Sequence, residues 1–257
     1  MMPPRSIDLN ADAGESFGSW RMGMDEQLFP LMTSVNLACG FHAGDPVTML
    51  AAVRQALRAG VAVGAHPGFA DLVGFGRRDL AVSPDQVYAD VVYQVGALRA
   101  VVEVAGLTLH HVKPHGALYL RMARDPESAQ AVASAVRDIS PTLPFVVLAG
   151  EGGALMRAAV EEAGLPVVAE AFPDRAYLPN GQLAARATLG AVLRDPAVAA
   201  QRAVRMAVEG RVEATDGSLI ELEAETLCVH GDNLESVAIA TAVRSALEQA
   251  GVEVRAF

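Results

Sequence analysis

The chain has 257 residues, 52% of them hydrophobic, and a formal charge of −10 with a pI near 5.0. This acidity argues against nucleic acid as a partner. With no apolar run long enough to span a bilayer and no apolar leader, the chain reads as a cytoplasmic protein with no membrane partner.

In chain order, the first strand runs from Ser6 to Asp12, alternating Ile7, Leu9 and Ala11 with Asp8, Asn10 and Asp12, so that one face is apolar and the other polar. A second strand near Ser34–Cys39 leads into Gly40-Phe41-His42-Ala43-Gly44-Asp45-Pro46. Asp45 reads as an N-cap with Pro46 at the first helical position, and Gly60 ends that helix. A third strand, Val61–Ala65, ends in His66-Pro67-Gly68, followed by a long glycine-rich loop holding Arg77 and Arg78. Ser83-Pro84-Asp85-Gln86 has the form of a capping box, opening a helix that ends at Gly106. The fourth strand carries Lys113, the only lysine in the sequence. Period-two spacing puts His111, Lys113 and His115 on one face, with Pro114 at the strand's end or in a bulge. Asp125-Pro126 predicts another helix by the same device as Asp45-Pro46.

Phe145–Ala149 is a continuous apolar run, as a buried parallel strand requires. Gly150-Glu151-Gly152-Gly153 after it reads as a tight turn rather than a phosphate loop. Val167–Ala171 is the sixth strand, and Asp195-Pro196 opens a helix. Leu219–Leu222 is a minor strand or hairpin arm, and Thr226–His230 is the seventh main strand. Asp232 or Asn233 is expected to cap the last helix. Cys39 and Cys228 are in no metal or redox spacing and read as reduced core residues.

Strand and helix alternate with long crossovers, which means a parallel sheet covered by helices. Seven repeats with polar inner faces fit a single-domain, distorted β/α (TIM-like) barrel spanning 1–257, with a flavodoxin-like or Rossmann sheet as runner-up. All six histidines fall on strands or at their carboxyl ends, where barrels build active sites. Asp12, His66, His115 and His230 offer zinc or manganese ligand chemistry, but no HExxH or His-x3-His spacing supports it, so a divalent metal is left open. No GxxxxGK[ST] loop is present for a nucleotide. Arg77-Arg78 has the chemistry to clamp a carboxylate or phosphate.

Several blocks resemble the lactam-utilisation family, whose members serve as the A component of the prokaryotic 5-oxoprolinase. They are Asp8-Leu9-Asn10-Ala11-Asp12 with Gly14-Glu15, Asn36 to Pro46, Gly64-Ala65-His66-Pro67-Gly68 and Gly74-Phe75-Gly76-Arg77-Arg78. His111-Val112-Lys113-Pro114-His115-Gly116-Ala117-Leu118-Tyr119 and Cys228-Val229-His230-Gly231-Asp232 complete the set. Glu170 to Arg194 is also similar, with Asp174, Arg175 and Tyr177 retained and Pro173 and Ala187 departing from the pattern. The resemblance implies a seven-stranded barrel akin to polysaccharide deacetylases. It also implies ATP-dependent opening of 5-oxo-L-proline to L-glutamate, in a complex with two further components, B and C. On that reading Asp12, His66, Lys113 and His115 form the acid/base cluster. Asn10, Asn36, His42, Arg77, Arg175 and His230 surround the substrate, Arg77 or Arg175 taking its carboxylate. ATP is expected at a partner subunit or a shared interface. The rivals are a metal-dependent deacetylase or amidohydrolase acting without ATP, and a non-catalytic carrier. Which component holds ATP, and whether the chain self-associates as a homo-oligomer, is not encoded in these motifs.

Overall fold

The computed structural model describes residues 6–230 and 235–257. Seven parallel strands close into a barrel: β1 (Ser6–Ala13), β2 (Ser34–Ala38), β3 (Ala62–His66), β4 (His111–Val112), β5 (Phe145–Leu148), β6 (Val167–Ala171) and β9 (Thr226–Cys228). Closure comes from β9, which pairs with β6 on one side and with β1 on the other. This ring excludes the open Rossmann-type sheet. A short antiparallel hairpin of β7 (Arg211–Glu213) and β8 (Leu219–Glu221) confirms the minor arm. The sequence reading has no counterpart for β10 (Glu253–Val254), which pairs beside the start of β1. Two residues on an edge are too few to carry a period.

Helices cover the barrel. After α1 (Asp25–Leu28) come α2 (Pro46–Ala59), α3 (Pro84–Val104), α4 (Gly116–Met122), α5 (Pro126–Ile139), α6 (Ala154–Glu162), α7 (Pro196–Glu209) and α8 (Ser236–Gln249). Asp45 caps α2 by accepting from the Val47 and Thr48 amides, and Gly60 ends it in the left-handed conformation that glycine adopts freely. Ser83 accepts from the Gln86 amide, but the Gln86 side chain turns to Asp90, so only half of the capping box forms. Asp125 is an exception: its carboxylate takes Arg121 and the Ser128 hydroxyl instead of backbone amides. The expected cap at Asp232 or Asn233 lies outside the described residues. Helix α4 has no signal in the sequence, because its seven residues follow directly on the Lys113 strand and His115 at its N-cap makes no side-chain capping bond. Gly153 has its Cα packed against the Leu148 carbonyl and Gly152 against Gly181, so the glycine turn after β5 serves close packing.

The core lies between the barrel and this helical layer. Ile7, Leu9, Ala11 and Ala13 of β1 join it, as do Val35 and Leu37 of β2. Alternation then sends Asp8, Asn10, Asp12, Ser34 and Asn36 into the barrel interior, where they must find partners. Asp8 sits at the bottom, taking hydrogen bonds from Thr33, Ser34 and Thr226. Above it, Asn10 donates to Glu170 and Thr226, and Asn36 donates to Asn10 and Asp12. The bottom half of the barrel is thus a closed polar network, and the top half opens at the mouth.

Candidate active site

The chain stays extended past β4, with the Lys113 amide donating to Ala65 and the His115 amide to Pro67. Pro114, which has no amide proton, falls between the two. His111, Lys113 and His115 therefore point into the barrel at rising heights. His111 lies lowest, its Nε2 2.7 Å from Asn36 Oδ1. Gly64 is opposite it on β3, where a Cβ would collide with the imidazole. His110 lies lower still, at the amino end of the strand, its Nε2 3.1 Å from the Phe257 carbonyl. The convergence of all six histidines at the mouth is thereby corrected: four are there, and His110 and His111 are below.

Lys113 is 3% exposed. Its Nζ lies 2.7 Å from Glu170 Oε1, 3.0 Å from Asp12 Oδ1, 3.3 Å from Asn10 Oδ1 and 3.1 Å from Cys228 Sγ. Burial alone would lower the ammonium's pKa, but Asp12, Cys228 and Glu170 together hold it well above the ordinary lysine value. Asp12 moves the other way: burial would raise it, and the charges of His66 and Lys113 keep it well below the usual carboxylate range. For Glu170 burial wins over Lys113, and its carboxyl is pushed up. Lys113 is accordingly a permanent cation fixed between two unequal carboxyls.

His66 lies between Asp12 and His115. Its Nδ1 is 2.6 Å from the Lys113 carbonyl, which only accepts, so Nδ1 carries the proton and Nε2 faces inward. Nε2 is 3.3 Å from Asp12 Oδ1 and 3.0 Å from His115 Nδ1. His115 Nε2 is 2.9 Å from the Phe75 carbonyl. Burial, followed by the charge of His66, holds His115 well below its ordinary pKa, so it is neutral.

Above these groups is a cavity of about 400 Å3 whose lining includes Asp12, His66, Arg77, Lys113, His115, Tyr119, Phe172, Arg175, Arg186 and His230. All four residues expected to act as the acid/base cluster line it. The six expected around the substrate divide. Arg77 and His230 line the cavity, Arg77 with its guanidinium carbon 4.8 Å from the centre of the Phe75 ring. His230 is held by Asp174, 2.8 Å from Nδ1, and stacks on Phe172 at 5.6 Å. Arg175 also lines it, but its Nε and Nη2 donate to the Ala191 and Ala184 carbonyls. That commits two donors to the 172–194 loop and makes Arg175 a brace for that loop. Burial brings its pKa down to about 10. Asn10 and Asn36 do not reach the cavity, because they are beneath Lys113 within the barrel network, 2% and 0% exposed. His42 is behind His115, its ring parallel at 3.9 Å, and is also absent from the lining. These three are supports for the site rather than contacts for a ligand. The arginine pair divides too: Arg78 pairs with Asp71 in its own loop, and Arg77 faces the cavity.

Four further residues have no role in the sequence reading. Glu170 and Cys228 touch Lys113, while Tyr119 and Arg186 line the cavity. Cys228 precedes His230 by two residues on a strand, so period two could have found it. Arg186 sits on an irregular loop with no period to read.

The fold and site together define a β/α barrel whose mouth holds a buried lysine between carboxyls, beside a pair of orthogonal histidines. The family model described as LamB/YcsF matches residues 7–257, and the chain belongs to that family. It is 61% identical over 251 residues to the 5-oxoprolinase A subunit of one Thermus thermophilus strain, covering 98% of this chain and 99% of that one. To a 5-oxoprolinase A subunit of Agrobacterium fabrum it is 51% identical, covering 98% of each. The crystal structure of a lactam utilization protein from Thermus thermophilus superposes with a TM-score of 0.92 at 57% identity, covering 98% of this chain and 100% of that one.

Proposed function

We propose that this chain is the lactam-binding hydrolytic component of an ATP-dependent 5-oxoprolinase, opening 5-oxo-L-proline to L-glutamate together with two partner subunits. The observation that carries the reading is that Asp12, His66, Lys113 and His115, from three different strand ends, line one cavity of about 400 Å3. The names of relatives 51% and 61% identical over nearly the whole chain supply the substrate class.

A five-membered lactam resists water because its nitrogen donates into the carbonyl and amide nitrogen is a poor leaving group. Transfer of the γ-phosphoryl group of ATP to the amide oxygen, with loss of the amide proton and release of ADP, turns the lactam into a cyclic imidoyl phosphate with an electrophilic carbon. One water then adds to that carbon, and the carbon–nitrogen bond breaks with the proton going to the departing amine. The γ-glutamyl phosphate so formed is cleaved by a second water to glutamate and phosphate. Phosphoryl transfer belongs to a partner subunit on this reading, and the cavity here takes the lactam. Arg77 is placed to pair with the substrate carboxylate. The Asp12–His66–His115 group is placed to take the proton from water, with the Lys113 cation stabilising negative charge on the oxygen. His230, steadied by Asp174, forms the opposite wall.

The experiment is glutamate formation from 5-oxoproline and ATP with the purified chain, alone and with its two candidate partners. Activity only in the reconstituted mixture, abolished by Lys113→Met, is the expected result. ATP-independent ring opening by the chain alone, or full activity of Lys113→Met, would refute the reading.

A further inference from the structure

Both inner histidines have one ring nitrogen tied to a backbone carbonyl: His66 Nδ1 to Lys113 at 2.6 Å, and His115 Nε2 to Phe75 at 2.9 Å. A carbonyl cannot donate, so each tie fixes a proton on the outward nitrogen and leaves a lone pair on the inward one. The inward atoms, His66 Nε2 and His115 Nδ1, are nevertheless 3.0 Å apart, and Asp12 Oδ1 is 3.3 Å from His66 Nε2. On these tautomers the two imidazole lone pairs face each other with no proton between them, and Asp12 Oδ1, which also accepts from Lys113 Nζ and Asn36 Nδ2, stands beside them. A cation seated between the two nitrogens and that oxygen relieves the lone-pair repulsion.

We propose that Asp12, His66 and His115 form a divalent transition-metal site of zinc type that opens into the mouth cavity. Ligand atoms about 2.1 Å from one ion stand roughly 3 to 3.5 Å from each other. The three donor atoms here all lie within 4.8 Å of one another, so closure on an ion needs only small side-chain rotations. The imidazole planes cross at 84°, which lets both lone pairs meet at one point. Carbonyl partners on the far nitrogens are the supports that metal-binding histidines ordinarily have. Two nitrogens and one carboxylate oxygen suit zinc more than magnesium or calcium, and all three residues line the cavity, leaving a ligand position open to it.

A second grouping, Glu15–His42–His115, meets the same distance limit. It fails on orientation, because the His42 and His115 rings are parallel to within 2° at 3.9 Å and their in-plane lone pairs cannot meet at one ion. His230 is outside the set because its ring nitrogens are not grouped with the other three ligand atoms within that distance. With an ion bound, these three side chains would hold it instead of accepting a proton from water directly, and the site itself does not depend on a lactam being the substrate, nor on ATP.

The test is metal content and spectroscopy on the full chain, not activity. After removal of metals and dialysis against Co2+ or Zn2+, the wild-type chain should hold one ion by elemental analysis. The Co2+ form should show the visible ligand-field bands of a low-coordinate nitrogen/oxygen site. His66→Gln and His115→Gln should each bind less than about a tenth as much, and His230→Gln should keep its ion. Circular dichroism monitors folding, and 15N chemical shifts of the wild-type imidazoles give a readout needing no variant. Trace binding by folded wild-type protein would overturn the proposal, as would undiminished binding by both glutamine variants. Imidazole nitrogen shifts unmoved by Zn2+ would do the same, showing that a shared proton holds the pair.

Discussion

Lys113 is legible from sequence as the sole lysine on a polar strand face, but its partners are not. Period two gives the face of a strand and says nothing about who stands across a barrel from it. The structure puts the ammonium between Asp12 and Glu170, and this decides what a substitution costs. Removing one member of a buried ion pair leaves the other charge without its partner, a penalty of about 3–5 kcal/mol. Lys113→Met should therefore lose stability by roughly that amount in urea unfolding as well as losing ring opening. Lys113→Arg should fail in both respects, because a planar guanidinium cannot take the place of a compact ammonium among Asn10, Asp12, Glu170 and Cys228. An arginine variant with wild-type stability and turnover would show that only the charge matters there. Gly64 is the matching small-residue constraint. Gly64→Ala should cost about 1–3 kcal/mol by overpacking, and pairing it with His111→Ala should recover part of that loss. Equal destabilisation with and without His111 would remove the steric explanation.

At the level of elements, the 172–194 loop forms one wall of the cavity and is pinned from behind by α7. Arg202 on that helix donates to the carbonyls of Pro173 and Arg175 on the loop and of Glu213 on β7. Tyr177 adds a buried hydroxyl that accepts from the Phe172 amide. Asp195-Pro196 marks where α7 begins but says nothing about which groups Arg202 reaches, 27 and 29 residues back on the loop, so this bracing is illegible in the chain. By contrast α2 can be read to the residue, since Asp45-Pro46 and Gly60 act through local geometry alone. Arg202→Ala should loosen the loop without emptying the site. We expect a rise in KM for the lactam larger than the fall in kcat, and faster amide exchange across 172–194 by mass spectrometry. Stability should drop by about 1–3 kcal/mol as buried carbonyls lose their donor. Unchanged exchange in that loop would show that the loop holds itself.

Across the whole molecule, the seven-stranded architecture and the polar character of its interior follow from alternation, because a barrel strand has only an inner and an outer face. Depth does not follow. Asn10, Asn36 and His111 share the faces of Asp12 and Lys113, yet they are below the cavity, where they satisfy one another. A barrel interior filled with hydrogen-bonded carboxyls also makes stability depend on pH in two opposed ways. Asp12 and Asp174 have depressed pKa values, burial being outweighed by His66 and Lys113 at one and by His230 at the other. Their stabilisation is present above about pH 4 and is lost as pH falls through their folded values. Asp8 and Glu170 are raised, with burial the larger cause in both. The folded chain then holds protons that the unfolded chain has released, so their contribution declines as pH rises from the unfolded values through the folded ones. Glu170→Gln isolates the second effect, since glutamine keeps the shape and cannot titrate. Subtracting the variant's unfolding free energy from that of the wild type at each pH should give a difference that falls as pH increases above 4.5, the ordinary glutamate value. The slope cannot exceed one proton, about 1.4 kcal/mol per pH unit. A difference that rises with pH would mean that Lys113 outweighs burial and that the Glu170 carboxyl ionises more readily in the folded chain than in the unfolded one.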